Sequence, residues 1–254
     1  MNPLSLAGKI ALITGAGSGI GQGTALALAR RGVKVAVNCN SKESDAGALD
    51  TLKQIEALGG EGIVVKADVS QKDEIDRMVH EATERFGGID ILVNNAALQL
   101  NYTLFQHNEQ TYDRMMNINV KGYWQCIQAV VPSMKLRGAG RIISICSVHG
   151  KRPTDFDTVY SMTKGGVKML VRESAIELAP YGITVNSIEP GAIRVRPLSP
   201  EQEARSQAEI RKKFPLGRTG RPHDIGHLVC YLASAEAEFI SGASIRVDGA
   251  SMLL

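Results

Sequence analysis

Residues 9–38 read KIALITGAGSGIGQGTALALARRGVKVAVN, and this stretch decides the fold. An apolar, β-branched run at Lys9–Thr14 leads into a glycine-rich turn. A helix-length segment over 20–31 follows, then a second apolar run at Val33–Asn38. Strand, turn, helix and strand in that order make a βαβ unit. Glycine is needed where φ is positive or where backbone must approach a pyrophosphate closely, and the helix N-terminus then offers unpaired N–H groups and a partial positive charge. The spacing does not fit GxGxxG, because no glycine falls three residues after Gly17. It fits GxxxGxG at Gly15, Gly19 and Gly21. Alone, such a turn is compatible with an ordinary strand-to-helix connection. Here it follows the first strand and opens the first helix, the context a phosphate-binding loop requires.

The alternation continues outward from that unit. Further strands are expected at Gly62–Lys66, Ile89–Asn94, Arg141–Cys146, Thr184–Ile188 and Ala243–Val247, with helices over 43–58, 71–86, 108–136, 156–179 and 222–233. IDILVN and RIISIC are apolar almost throughout, as parallel strands covered on both faces should be. The pattern predicts an α/β, Rossmann-type, doubly wound parallel sheet of about seven strands. At roughly 150 residues per domain, 254 residues allow one large domain or two small ones. No linker divides the chain and no fixed repeat is found, so a single domain over 1–254 is expected. The connection from Glu189 to Arg221 exceeds thirty residues and holds a polar helical stretch, PEQEARSQAEIRKK at 200–213. So long a connection in a compact domain reads as a substrate lid, about 192–215, or as a plain surface excursion.

Composition narrows the classes. With 44% hydrophobic and 22% charged residues the chain can bury a core. A formal charge of +3 without basic blocks gives no support to a nucleic-acid partner. MNPLSLAGK lacks the features of a signal peptide, and no apolar run approaches a membrane span. The four cysteines lack CxxC spacing and read as reduced hydrophobes of a cytoplasmic protein.

Dinucleotide sites usually carry an acid at the end of the second strand, where it bonds the adenosine ribose. That position is about Cys39 here, followed by Asn40, Ser41 and Lys42. A ribose 2′-phosphate would meet no carboxylate there, and these three residues offer donors to it, although Lys42 is equally readable as a solvated loop lysine.

Tyr160 and Lys164 stand four residues apart, on one face of a predicted helix. A tyrosine with pKa near 10 is a poor general base at neutral pH, and a nearby cation favours its phenolate. Thirteen residues upstream, Ser147 follows the carboxyl end of the strand RIISIC, where open α/β sheets bind ligands. TGAGSGIG, Asn94-Asn95-Ala96-Ala97, Ser147, Tyr160-xxx-Lys164 and Pro190-Gly191 together resemble the short-chain dehydrogenase/reductase family, in order and spacing, from about Leu6 to Gly249. The resemblance implies an NAD(P)-dependent oxidoreductase. It implies Tyr160 as acid/base, Ser147 as hydrogen-bond partner of the reacting oxygen, and Lys164 on the nicotinamide ribose. Asn119 would be the fourth member, positioning a water in the proton relay, with Asn117 the competing candidate. Gly15, Ser18, Gly19 and Ile20 would hold the pyrophosphate, and Asp68 with Val69 the adenine. Asn95, Ala96 and Ala97 would line the adenosine-ribose side, and Pro190, Gly191 and Ile193 the nicotinamide.

Two departures from the family pattern stand out: Ala97 replaces a glycine, and Val195 replaces a threonine that bonds the carboxamide. The stretch from Ser147 to Ile193 is similar to bacterial glucose 1-dehydrogenases, which makes a sugar or polyol the expected substrate class. Gln99, His149, Arg152 and Asp155 are the polar groups expected near its hydroxyls. The alternatives are a 3-oxoacyl-carrier-protein reductase, with Arg137 available to dock an acidic carrier, and a non-catalytic dinucleotide-binding regulator. The resemblance also implies a homotetramer. NADP is expected to be accepted at least as well as NAD. No metal is expected: His223-Asp224-Ile225-Gly226-His227 has the two-histidine spacing, but it lacks the glutamate and third ligand of a zinc motif and reads as a helix start.

Overall fold

The computed structural model of the chain describes residues 6–40, 42–153, 158–195, 210–212 and 214–253, with the side chains of 42–44 excepted. Seven strands, β1 (Ile10–Ile13), β2 (Lys34–Cys39), β3 (Gly62–Lys66), β4 (Ile91–Asn94), β5 (Gly140–Ile145), β6 (Ile183–Pro190) and β7 (Ser244–Val247), form one sheet. All neighbours run parallel, in the order β3-β2-β1-β4-β5-β6-β7. The order reverses between β1 and β4, which opens a crevice at the carboxyl ends of those strands. Strand ends fall within two residues of the sequence-based ranges, and β3 matches its range at both ends.

The helices among the described residues are α1 (Gly19–Ala29), α2 (Lys42–Ala57), α3 (Lys72–Phe86), α4 (Glu109–Met116), α5 (Gly122–Leu136), α6 (Thr158–Leu178) and α7 (Pro222–Ala233). Successive residues of a strand face opposite sides of the sheet, and both sides are apolar here. Ile13, Val35, Val37, Ile143 and Ile188 join one buried cluster with Ala25 and Leu28 of α1 and Ile225 and Val229 of α7. Their neighbours Leu12, Ala36, Ile142 and Val185 join a second with Ile75 and Met78 of α3, Tyr123 and Val130 of α5, and Val167 of α6. Strands β1 to β6 therefore each contribute to two cores, while Ile245 and Val247 of β7 pack against the first alone, and a parallel sheet with helices on both faces results.

One expectation needs correction. The predicted helix over 108–136 is α4 and α5 joined by a π-helical turn, Asn117–Lys121. Such turns are rare and favour functional sites. Gly122 ends this one against the carbonyl of Val69: a Cβ at Gly122 would stand 2.6 Å from that oxygen. Asn119, within this turn, is wholly buried. Of the predicted polar stretch 200–213, only 210–212 are described, and these are helical.

Candidate active site

The turn after β1 is held by side chains from two neighbouring strands. Thr14 Oγ1 accepts the backbone N–H groups of Asn95 (2.9 Å) and Ala96 (3.0 Å), which joins the ends of β1 and β4. Asn95 Nδ2 donates back to the carbonyls of Thr14 (2.8 Å) and Gly15 (3.0 Å). On the other side, buried Asn38 accepts from Gly15 N–H at 3.1 Å and donates to the carbonyls of Val65 and Ala67. Gly15 has φ +62°, and a Cβ there would lie 3.0 Å from Ala96 Cα. Both the backbone angle and the close approach require glycine.

This turn forms one wall of a cavity of about 830 Å³. Gly15, Ser18, Gly19, Ile20, Asn40, Asp68, Val69, Asn95, Ala96 and Ala97 all line it. Ser41 and the side chain of Lys42 lie outside the described residues. Ser18 caps α1 without spending its side chain on the helix, so the hydroxyl and the first-turn N–H groups remain available to an anion. These features fit a dinucleotide pyrophosphate. Sequence reasoning missed two participants here. Asn38 braces the turn from β2, and Arg114 of α4 is the one cation among the described lining residues. At the end of β2, Cys39 Sγ donates to Asp45 Oδ1 at 3.2 Å, while Asp45 pairs with Lys66 at 3.3 Å.

A second cavity, about 880 Å³, shares Ile20, Asn95, Ala97, Gln99 and Val195 with the first. Ser147, Tyr160, Lys164, Pro190, Gly191 and Ile193 line it, as do Gln99, His149 and Arg152. Asp155 lies outside the described residues. Ser147 stands in extended conformation just beyond β5, where its Oγ accepts the His149 N–H at 3.1 Å and leaves the O–H able to donate. Lys164 is only 1% exposed. Its ammonium donates to Ile145 O at 2.9 Å and reaches Tyr123 Oη at 3.5 Å. The same ammonium lies 5.5 Å from the centre of the Tyr160 ring. Burial pushes the lysine down to about 8, so its charge is present below that pH and is lost above it.

Tyr123 gave no sequence signal, yet it stands behind the lysine, donating its own hydroxyl to Ile145 O at 3.1 Å. Burial raises its pKa well above the ordinary value, which keeps it a neutral donor. Cys146 also lines the cavity. Burial raises this thiol too, and its Sγ donates to Lys164 O at 3.1 Å, which agrees with a non-nucleophilic role. Asn119 exchanges hydrogen bonds with Leu98, accepting from its N–H and donating to its carbonyl, both at 2.8 Å, and donates to Thr163 Oγ1 at 3.1 Å. It thus ties the loop after β4 to the helix carrying Tyr160 and Lys164. Asn117 instead lines a surface cavity with Trp124 and Leu170.

Two other expectations are resolved by geometry. Arg137 is paired with buried Asp90 at 2.8 and 3.0 Å, at the amino end of β4, opposite the cavity. It is therefore not placed to dock a carrier at the mouth. Asp224 of the two-histidine segment accepts from the Arg221 N–H at 2.7 Å and from Arg218 at 2.7 and 3.1 Å, as the first turn of α7 begins at Pro222. The Arg218 hydrogen bonds bring its carboxyl down to about 2. This carboxylate is spent as a helix cap.

A family model described as enoyl-(acyl carrier protein) reductase matches residues 15–250. A short-chain dehydrogenase/reductase of Armillaria gallica is 35% identical over 249 residues, 95% of each chain. The 3-oxoacyl-(acyl-carrier-protein) reductase FabG of Staphylococcus epidermidis is 38% identical over 241 residues, covering 95% of this chain and 98% of its own. A crystal structure of a short-chain type dehydrogenase/reductase from Mycobacterium marinum superposes with a TM-score of 0.90 at 34% identity, over 100% of this chain and 99% of that one.

Proposed function

The chain belongs to the short-chain dehydrogenase/reductase family, and on that premise we propose that it interconverts a secondary alcohol and a ketone, or oxidises a sugar or polyol hydroxyl, with NAD(P). The observation that carries this reading is the meeting of Ser147, Tyr160 and Lys164 in a cavity continuous with the glycine-turn cavity. A bound nicotinamide dinucleotide would supply the hydride acceptor or donor. The Tyr160 hydroxyl gives or takes the proton at the reacting oxygen, and the Ser147 O–H donates a hydrogen bond to that oxygen. Lys164 favours the phenolate and holds the nicotinamide ribose, and Asn119 positions the helix that carries both groups. Gly15, Ser18, Gly19, Ile20, Asp68, Val69, Asn95, Ala96 and Ala97 hold the adenosine and pyrophosphate, and Pro190, Gly191 and Ile193 the nicotinamide. A screen of sugars, polyols and acyl ketones with both cofactors tests the reading. No turnover with any of them would overturn it and favour a binding protein.

A second reading has the names of the curated relatives in its favour: reduction of a 3-oxoacyl group on a carrier protein. A 3-oxoacyl thioester in the same screen separates the two. A cytoplasmic setting belongs to the reading, supported by four buried cysteines of which none forms a disulfide.

NADP is expected to serve at least as well as NAD. The end of β2 presents Cys39 and Asn40 to the cavity, and Arg114 lines it as well. One exposed cation contributes about 1 kcal/mol or less, roughly fivefold in affinity, so dual use is expected rather than strict selectivity. Cys39→Asp should swing kcat/KM toward NAD, and Lys42→Ala should weaken NADP alone. Wild-type preference for NAD of about a hundredfold, with Lys42→Ala silent, would refute the 2′-phosphate reading.

A homotetramer is part of the same proposal. Trp124 of α5 is 46% exposed, and Met162 and Met169 of α6 are each 52% exposed. A cavity of about 390 Å³ beside them is lined by Met116, Val120, Trp124 and Leu170, with Asn117 and Lys121 as its polar members. Apolar groups left this open suit a symmetric contact. Light scattering at micromolar concentration should read four times the 27.3 kDa chain, and a monomer would contradict the assembly.

A further inference from the structure

Tyr123, the second residue of α5, is as fully buried as Lys164 of α6, each 1% exposed. The two side chains meet at the carbonyl of Ile145, the last residue of β5. Tyr123 Oη donates to that oxygen at 3.1 Å and Lys164 Nζ at 2.9 Å, and Nζ lies 3.5 Å from Oη itself. This triangle joins α5, β5 and α6 two residues before Ser147. The ammonium also lies 5.2 Å from the centre of the Tyr123 ring and 5.5 Å from that of Tyr160, which puts both rings within cation–π range.

A phenol has one proton and two lone pairs. The Tyr123 proton is committed to Ile145 O, so towards the ammonium its oxygen can only accept, and an acceptor there favours the charged lysine. An ammonium has three N–H groups. Two are directed to Ile145 O and Tyr123 Oη, which leaves the third for a ribose hydroxyl. Phenylalanine would fill the same space, so the hydroxyl is what the lysine gains. We infer that Tyr123 is a positioning residue for Lys164: its oxygen, anchored on the Ile145 carbonyl, holds the ammonium charged beside Tyr160. This deepens the oxidoreductase reading and rests on it for the role of the lysine.

The other groups around Lys164 come from several elements. Burial raises Tyr123 well above the ordinary tyrosine value, and it stays neutral. The thiols of Cys146 and Cys126 are raised by burial too, the latter to about 12. His149, Arg152 and Lys212 line the same cavity. Glu189 of β6 pairs with Lys168 at 2.8 Å and Lys151 at 3.4 Å. Asp113 and Arg114 of α4 and Lys121 of the π-helical turn are exposed. All of these charges are common to wild type and a Tyr123 variant, so they cancel in a comparison of the two.

Tyr123→Phe tests the inference through the pH dependence of cofactor affinity. In wild type, affinity should fall as pH rises through about 8, where Lys164 loses its charge. Without the phenol oxygen the midpoint of that fall should move down by about 0.5–1 pH units, the worth of one hydrogen bond. At pH 9 the variant should then bind roughly three- to tenfold more weakly, and at pH 6 within about twofold of wild type. Val130→Ala, two turns along α5 in the same packed layer, should lower the thermal midpoint and leave the pH midpoint in place. A purely structural role for Tyr123 would make the two variants alike. Carbon-13 NMR of protein labelled at lysine Cε, with Lys164→Met to assign the signal, reads the titration of Lys164 without cofactor. Tyr123→Met, which also removes the oxygen, repeats the reading should the first variant not fold. An Lys164 signal that titrates identically in wild type and variant would overturn the inference and leave the oxidoreductase reading standing. Wild-type protein that binds neither NAD nor NADP at any pH would overturn that reading, and the lysine signal would still decide whether Tyr123 holds the charge.

Discussion

Replacing Tyr160 by phenylalanine is expected to lower kcat by a factor of about 10² to 10⁴ while cofactor affinity stays close to wild type. The substitution removes one oxygen and leaves a ring of the same shape in the cavity. Neither the glycine turn nor the Lys164 ammonium loses a partner that holds the dinucleotide. What is lost is the hydroxyl proposed to exchange a proton with the reacting oxygen. Ser147 still offers an O–H to that oxygen, which accounts for residual activity. Lys164→Ala should behave differently, because its ammonium is proposed to serve both the phenol and the ribose: kcat is expected to fall and the cofactor dissociation constant to rise together. Wild-type cofactor binding should also weaken as pH rises through about 8, where the lysine loses its charge. Steady-state kinetics with cofactor titration checks all three, and near-normal turnover in Tyr160→Phe would remove the tyrosine from the mechanism.

Asn38→Leu is expected to destabilise the chain by about 2–4 kcal/mol, since leucine of similar size leaves the Ala67 carbonyl buried, and the Gly15 N–H half-buried, without their present partner. Each orphaned polar group costs roughly 1–3 kcal/mol. For a chain of this size the thermal midpoint should fall by about 10 °C, at roughly 2–4 °C per kcal/mol. The effect should reach function as well, because the Asn38 amide links Gly15 to the carbonyls of Val65 and Ala67. Loss of that link frees the turn, and cofactor affinity should drop even at temperatures where the variant is folded. Thermal unfolding and cofactor titration of the same variant are the measurements. An unchanged midpoint would mean that the bonds to Asn38 are replaced without cost.

Much of this could be read from local pattern. Strand periodicity and apolar runs such as IDILVN report burial on both faces, because alternate residues must face opposite layers whatever the final strand order is. The turn from Thr14 to Gly21 and the four-residue spacing of Tyr160 and Lys164 are equally local: positive φ, helix-terminal N–H groups and a shared helical face act over a few residues. The sequence by itself therefore determined the doubly wound class, the glycine turn that opens α1, and the placing of Ser147 just beyond a strand and of Tyr160 and Lys164 on one helix. Only the tertiary structure could decide what depends on distant segments meeting. Asn38 braces Gly15 from 23 residues away, and Tyr123 stands behind a lysine 41 residues further on. The π-helical turn at Asn117–Lys121 ends at Gly122, where the Val69 carbonyl from a distant loop approaches too closely for any side chain. Arg152, Lys212 and Met252 line one cavity although they come from segments far apart in the sequence. No periodicity encodes such meetings, since each is fixed by close packing and buried hydrogen bonds that form only once the sheet is assembled.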